Sequence, residues 1–235
     1  MRTAGVASVT LDADDWPRGI NFEMRRLADE GVTEIVVTNP RSRHNLGVGQ
    51  TDPRVTIRFR GSTGYYCGGL NAGTDIVVEH NTGWGVGEAM SAGTIQIHGN
   101  SVIGTGASMR GGTLIIRGSA GPRTGAGMKG GTMIIEGNAG YSTGFMAHAG
   151  HIIVLGNAGE SLADSLWLGN IYVAGEIRSL GNDAIVVEPD EAQDAEVHAL
   201  LRGAGIDGRF TFKKVQSAQK LWYFDNRNPE AWLKI

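Results

Sequence analysis

The chain has 235 residues and a formal net charge of −3, with mixed charges and no basic footprint of the kind nucleic acid demands. No stretch approaches the roughly 18 consecutive apolar residues of a membrane span, and one cysteine excludes an internal disulfide or an all-cysteine zinc or iron–sulfur site made by this chain alone. Glycine accounts for 37 residues, roughly twice the average share of about 7%.

The start of the chain, Met1-Arg2-Thr3-Ala4-Gly5-Val6, lacks a hydrophobic signal region, so a cytoplasmic location is expected. Val9-Thr10-Leu11 reads as a short strand and Asp14-Asp15-Trp16-Pro17 as a turn. Residues 20–30 carry Ile20, Phe22, Met24 and Leu27 among charges, which suits an amphipathic helix closed by Gly31. Thr33-Glu34-Ile35-Val36-Val37 reads as a strand, and residues 39–45 as a polar loop. Residues 54–59 alternate cleanly and are expected to open the region that follows.

From there the glycines fall on rails. Gly93, Gly112, Gly131, Gly150 and Gly169 follow one another at intervals of nineteen residues, with Gly73 twenty before the first. A second rail runs six residues later (Gly99, Gly118, Gly137, Gly156, Gly175) and a third six earlier (Gly87, Gly106, Gly125, Gly144). Between the first two rails lies a short apolar segment each time, such as Thr94-Ile95-Gln96-Ile97 or Thr113-Leu114-Ile115-Ile116. Leu70, Met90, Met109 and Met128 sit three residues before the first rail; Met146 is one residue early, and His151 stands where threonine recurs.

A fixed period means stacked units. Helical repeats need about thirty or more residues, and the leucine-rich signature with its asparagine ladder is missing. The expected fold is therefore all-β: a single-stranded right-handed β-helix of about 19-residue coils, with glycines at the corners and alternate apolar residues inside. Leu70 and the methionines should stack as an inner ladder. Six coils spaced by about 4.8 Å would make a rod of roughly 25 to 30 Å. The irregularity at Met146 and Gly150 points to a bulge facing a partner.

The coils run out near Gly175. Residues 189–203, opened by Asp190-Glu191 with Val197, Leu200 and Leu201 on one face, read as a helix. The tail carries Phe210-Thr211-Phe212, Leu221-Trp222-Tyr223-Phe224 and Trp232; such a cluster either folds back on the body or meets a partner. The expected division is an N-terminal cap over residues 1–54, the β-helix over 55–188, and a C-terminal helix and aromatic tail over 189–235. The flanking regions are expected to cover the open ends of the rod.

No convincing catalytic constellation emerges. Gly125-Ala126-Gly127-Met128-Lys129-Gly130 matches a dinucleotide fingerprint literally, but its glycines belong to the ladder and no strand-to-helix unit follows. His148 and His151, with His80 and His98 nearby, are too few for a zinc site. His44 lies in the loop with Arg41, Ser42 and Arg43, where a binding or structural role outweighs catalysis. Cys67 reads as a buried coil residue, and Asp164-Ser165 is not a triad signal. An independent enzyme with its site on the solenoid flank would need clustered charge there; Gln96, Arg117 and Glu136 do not accumulate one sign. The expectation is no catalytic, cofactor-binding or metal-binding residue in this chain.

The Gly83-x-Gly85-x-Gly87 corner and the Met-x-Gly-Gly-Thr units at Met109 and Met128 resemble the GXGXG domain of glutamate synthase, over about residues 55–205. That superfamily includes one subunit each of formylmethanofuran dehydrogenase and of the formyltransferase/hydrolase complex, and a stand-alone subunit of N-methylglutamate synthase. The free-standing length resembles the last group. So do Asn39-Pro40-Arg41 with His44, Gly64-Tyr65-Tyr66-Cys67, Leu180-Gly181, and the tail with Ser217-Ala218 and Lys220-Leu221-Trp222-Tyr223-Phe224. The resemblance implies a scaffold subunit without catalytic residues, which helps set the geometry of an ammonia path. Its partners would be an amidotransferase-like subunit and a flavin-binding synthase subunit that holds FMN and an iron–sulfur cluster. The hetero-oligomer would convert glutamate and methylamine to N-methylglutamate and ammonia.

Overall fold

The computed structural model describes residues 8–16 and 18–220. In chain order the elements are β1 (Ser8–Asp12), α1 (Ile20–Asp29), β2 (Glu34–Thr38), β3 (Thr56–Phe59), β4 (Asp75–Val78), β5 (Thr94–Ile97), β6 (Thr113–Ile116), β7 (Lys129–Ile135), β8 (Ala149–Val154), β9 (Asn170–Val173), β10 (Ala184–Val187), α2 (Glu191–Gly203) and β11 (Lys213–Ser217). Among the described residues, all eleven strands belong to one sheet, ordered β1 to β9 and then β11, β10. From β1 to β9 each strand lies parallel to the next. The nineteen-residue period is the pairing register: Ile95 opposes Leu114, then Met133, Ile152 and Ile171. A second wall is drawn by single parallel bridges from Thr63 through Thr82, Ser101, Ala120, Ala139 and Ala158 to Ile177. The result is a β-solenoid of about seven turns.

Strand alternation fills the interior. Ile95 and Ile97, Leu114 and Ile116, and Met133 and Ile135 all point into one continuous apolar core. The glycine rails exist for two different reasons. Gly112 has φ +79°, a left-handed corner conformation, and a Cβ there would also lie 3.0 Å from the Ala92 carbonyl carbon. Gly118 is not left-handed, but a Cβ would overlap Asn100 Oδ1 and lie 2.7 Å from the Gly99 oxygen of the preceding coil. Close coil stacking demands both glycines, a Gly112 Cβ lying 2.6 Å from the Gly93 oxygen, and conformation adds a second demand at Gly112.

The inner ladder is Met90, Met109 and Met128, all fully buried. Leu70 is not part of it. It is 53% exposed, in a left-handed position, and the buried Asn71 takes the inner site, donating to the Thr74 and Ala92 carbonyls at 2.7 and 3.1 Å. The sheet explains why: Ile76 pairs with Ile95, so a step of nineteen puts Asn71, not Leu70, level with Met90. Between Asn71 and Ile76, Ala72 bridges Ala92 at a step of twenty, the same step that separates Gly73 from Gly93. Met146 involves no shift either. It is the left-handed, outward residue of its corner, 40% exposed, and Ala147 fills the inner site. A register irregularity does lie beside it, between Lys129 and Thr132 against β8, where the Met128 carbonyl accepts from both His148 N (2.6 Å) and Ala149 N (3.3 Å).

Residues 39–49 form a coil turn, which takes in the expected polar loop over 39–45. Ser42 N donates to Ser62 O, Asn45 N to Tyr65 O, and Gly49 N to Gly69 O, so the turn is stacked on the next coil. The solenoid thus begins before residue 54 and has about one turn more than the expected six. In α1, Ile20, Met24 and Leu27 are buried as expected, but Phe22 is 73% exposed and lies under the Arg25 guanidinium at 5.6 Å.

An asparagine ladder, unlike the leucine-rich one, runs along a corner. Asn81 Oδ1 accepts from Asn100 N, Asn100 Oδ1 from Ser119 N, Asn138 Oδ1 from Asn157 N, and Asn157 Oδ1 from Glu176 N, each at 2.8 Å. Ser119 Oγ supplies the middle rung to Asn138 N at 3.0 Å.

The C-terminal elements divide the capping work. β11 turns antiparallel and pairs with β9, and β10 pairs with β11, so a reversed ribbon follows the last coil. Helix α2 does not cover the end. Opened by an Asp190–Gln193 capping box, it lies on the flank, where Val197 and Leu201 join Phe212 over the outward residues Ile134, Ile153 and Tyr172. At its C-terminal end the Ala204 carbonyl accepts from Arg117 Nη2 at 2.9 Å, and Arg117 pairs with Glu136 one coil on. The aromatics at 221–224 and Trp232 lie outside the described residues.

Candidate functional site

A cleft of about 640 Å³ lies between the first turn of α1 and the coil turn carrying Arg41 to Leu46. Its walls include Trp16, Arg18, Phe22, Arg41, Arg43 and His44. Asp14 holds two of these arginines, Arg41 at 3.0 Å and Arg43 at 2.7 Å, and Arg43 also donates to the Ala13 carbonyl. Left-handed backbone at Asn39, Arg41, Ser42 and Asn45 shapes the turn. The cleft therefore offers guanidinium groups and aromatic edges, with its one histidine already engaged.

That histidine is His44. Its Nδ1 accepts from the Tyr65 backbone N–H at 2.9 Å, and its ring stacks on Tyr65 at 4.3 Å, which stacks on Trp84 at 5.2 Å. The three rings occupy equivalent places on successive coils, so the solenoid register puts them face to face. Each residue stands out in the sequence, but the column does not. Its signal is a ring-bearing residue at one place in three consecutive coils, at steps of twenty-one and nineteen, with a glycine before the last two.

The other residues singled out from sequence are dispersed. Cys67 is fully buried, and burial pushes its thiol up to about 12. His148 and His151 diverge: His148 is exposed and stacks on Trp167 at 5.7 Å, while His151 lies in β8, stacks on Tyr172 at 6.2 Å and has Nε2 3.7 Å from Glu196 of α2. Tyr172 is buried beneath the helix, and its hydroxyl is pushed up to about 12 by that burial, with Glu196 and Asp190 adding to it. Ser165 donates to Asp164 at 2.8 Å, and Asn182 is that carboxylate's other neighbour. The Gly125–Gly130 corner feeds β7 rather than a helix. Among the described residues no three histidine, cysteine or acidic side chains gather as a metal site would require, and no helix is long and apolar enough to cross a membrane.

Stacked nineteen-residue coils with glycine at their corners, Gly83-x-Gly85-x-Gly87 among them, define a β-solenoid protein. The chain belongs to the GXGXG-motif family, whose pattern matches residues 35–226. It is 44% identical over 50 residues to Protein GlxC of Rhizobium meliloti (strain 1021), which covers 21% of this chain and 22% of that protein. The match thus spans about a fifth of the length of that curated relative. Among solved structures it resembles a chain of the formyltransferase/hydrolase complex (FhcABCD) from Methylorubrum extorquens, crystallised in complex with methylofuran. The TM-score is 0.65 and the identity 25%, over 74% of this chain and 67% of that one.

Proposed function

We propose that this chain is a non-catalytic scaffold and coupling subunit of N-methylglutamate synthase. It joins an amidotransferase-like subunit to a synthase subunit that holds FMN and an iron–sulfur cluster, and the assembly converts glutamate and methylamine to N-methylglutamate and ammonia. The observation that carries this reading is the rod itself. Family membership covers most of the chain, and the side chains best suited to chemistry already have structural partners: His44 the Tyr65 N–H of the next coil, Asp164 the neighbouring Ser165, Cys67 the core. A rigid solenoid presents extended surfaces on which other proteins dock. Co-purification with both of those subunits, and N-methylglutamate formation that needs all three, is the expected result. Synthesis of N-methylglutamate by the purified chain alone would defeat the proposal.

A second reading rests on the structural likeness to a chain of the formyltransferase/hydrolase complex. Under it, the chain is the corresponding solenoid subunit of such a complex or of a formylmethanofuran dehydrogenase. Co-purification with a formyltransferase and an amidohydrolase is the outcome that selects it.

A further inference from the structure

One column of the solenoid differs from its neighbours in charge. Ser91, Arg110, Lys129, His148 and Trp167 occupy the same place on successive coils: Arg110 N donates to Met90 O, Lys129 N to Met109 O, His148 N to Met128 O and Trp167 N to Ala147 O. The strand spacing of roughly 4.8 Å therefore sets Arg110 beside Lys129; on the next coil the irregular register pairs Lys129 with Ala149, the residue that follows His148. Arg110, Lys129 and His148 are all exposed.

Like charges directly opposite each other on neighbouring strands destabilise a sheet. Elsewhere the solenoid avoids this by pairing cations with carboxylates across coils: Arg58 with Glu79 at 4.0 Å, Arg178 with Glu160 at 3.0 Å, and Arg117 with Glu136. Arg110 and Lys129 form no ion pair among the described residues. Apolar groups border the row at one end: Met146 precedes His148 and is 40% exposed, Leu168 follows Trp167 and is 59% exposed, and the His148 and Trp167 rings stack. Arginine, tryptophan and methionine are the residues enriched in the cores of protein interfaces.

We infer that the column from Arg110 to Trp167 is a docking surface for a partner protein that presents a row of carboxylates beside an apolar patch. The inference rests on the scaffold reading above and specifies one of its contacts. Charge complementarity selects the occupant: the row is cationic and unpaired, while a net charge of −3 for the whole chain disfavours a long polyanion such as nucleic acid. Carboxylates on successive strands of a partner's sheet share the spacing of the row.

The test is affinity measured between the full chain and the co-expressed amidotransferase-like and flavin-binding subunits. It compares the native chain, the reversal Arg110→Glu with Lys129→Glu, the neutral pair Arg110→Gln with Lys129→Gln, and Arg209→Glu, an exposed charge beyond α2, as control. Thermal unfolding of each variant checks that it folds; the neutral pair removes the stacked repulsion and remains informative if the reversal does not. The expected result is a loss of about tenfold or more for the reversal and a smaller loss for the neutral pair, with no change for Arg209→Glu. The differences should shrink as salt rises from about 0.1 to about 0.5 M. Native affinity in both folded double variants would overturn the docking surface and leave the scaffold reading standing. Failure of the native chain to bind either subunit would overturn the scaffold reading itself. Tighter binding of a duplex oligonucleotide than of either subunit, lost in the reversal, would make the row a nucleic-acid contact and overturn the proposal.

Discussion

Truncating Met109 tests whether the methionine ladder holds the rod together. The side chain is fully buried between Met90 and Met128 on adjoining coils. Met109→Ala removes three heavy atoms, worth roughly 2.4 kcal/mol in lost transfer at about 0.8 kcal/mol each. The strands on either side are fixed by parallel pairing, so the walls cannot close, and the cavity adds about 2 kcal/mol. The expected cost is about 4 kcal/mol, a drop of about 8 to 16 °C in thermal midpoint for a chain of this size. Urea unfolding followed by circular dichroism reads it as a lowered midpoint. Met146→Ala is the matched comparison: its side chain points outward, and the expected change is within about 0.5 kcal/mol. Equal costs for the two substitutions would refute the placement of Ala147, rather than Met146, on the inner ladder.

Gly118→Ala should cost about 2 to 3 kcal/mol, because its Cβ meets the backbone of the preceding coil; Gly203→Ala at the end of α2, with open space around it, should gain about 0.5 to 1 kcal/mol. Thermal melts of the two variants check both signs. Asn100→Ala leaves Ser119 N without its side-chain acceptor and should cost about 1 kcal/mol in urea unfolding. Cys67 should resist a thiol reagent at pH 8 until the chain unfolds. Its folded pKa of about 12 lies above the ordinary 9, so the buried thiol's contribution to stability is complete below pH 9 and is lost as pH rises through 12. Rapid labelling of the folded chain at pH 8, or a melting temperature flat from pH 9 to 12, would contradict this.

The nineteen-residue step, the strands between rails and the two helices were legible from sequence because each coil repeats the same physical problem at the same place. Leu70 and Met146 misled because they look like ladder residues. The strand register, which pairs Ile76 with Ile95, moves Leu70 one place off the ladder, and exposure with a left-handed backbone puts both residues on the outward side of the corner. Residues 39–45 looked like a loop because of their polar side chains; the backbone bonds to Ser62 and Tyr65 that make them part of a coil leave no mark on residue type. The position of α2 escaped for a related reason. Its apolar face was evident, but an end and a flank both offer apolar surface, and Ile134, Ile153 and Tyr172 were not recognisable as an outward patch until alternation was tied to a register. At the surface, His44, Tyr65 and Trp84, and likewise Arg110, Lys129 and His148, became columns only through the same alignment.

In-register stacking also makes the rod a ruler. Each coil touches only the ones beside it, so adding or removing one nineteen-residue coil in the middle leaves both ends intact. It changes the separation between anything bound at the N-terminal turns and anything bound near β9 by one graduation of about 4.8 Å. Two docked bodies can therefore be set apart in discrete increments by whole coils, a form of dimensional control that a globular linker of the same mass does not provide.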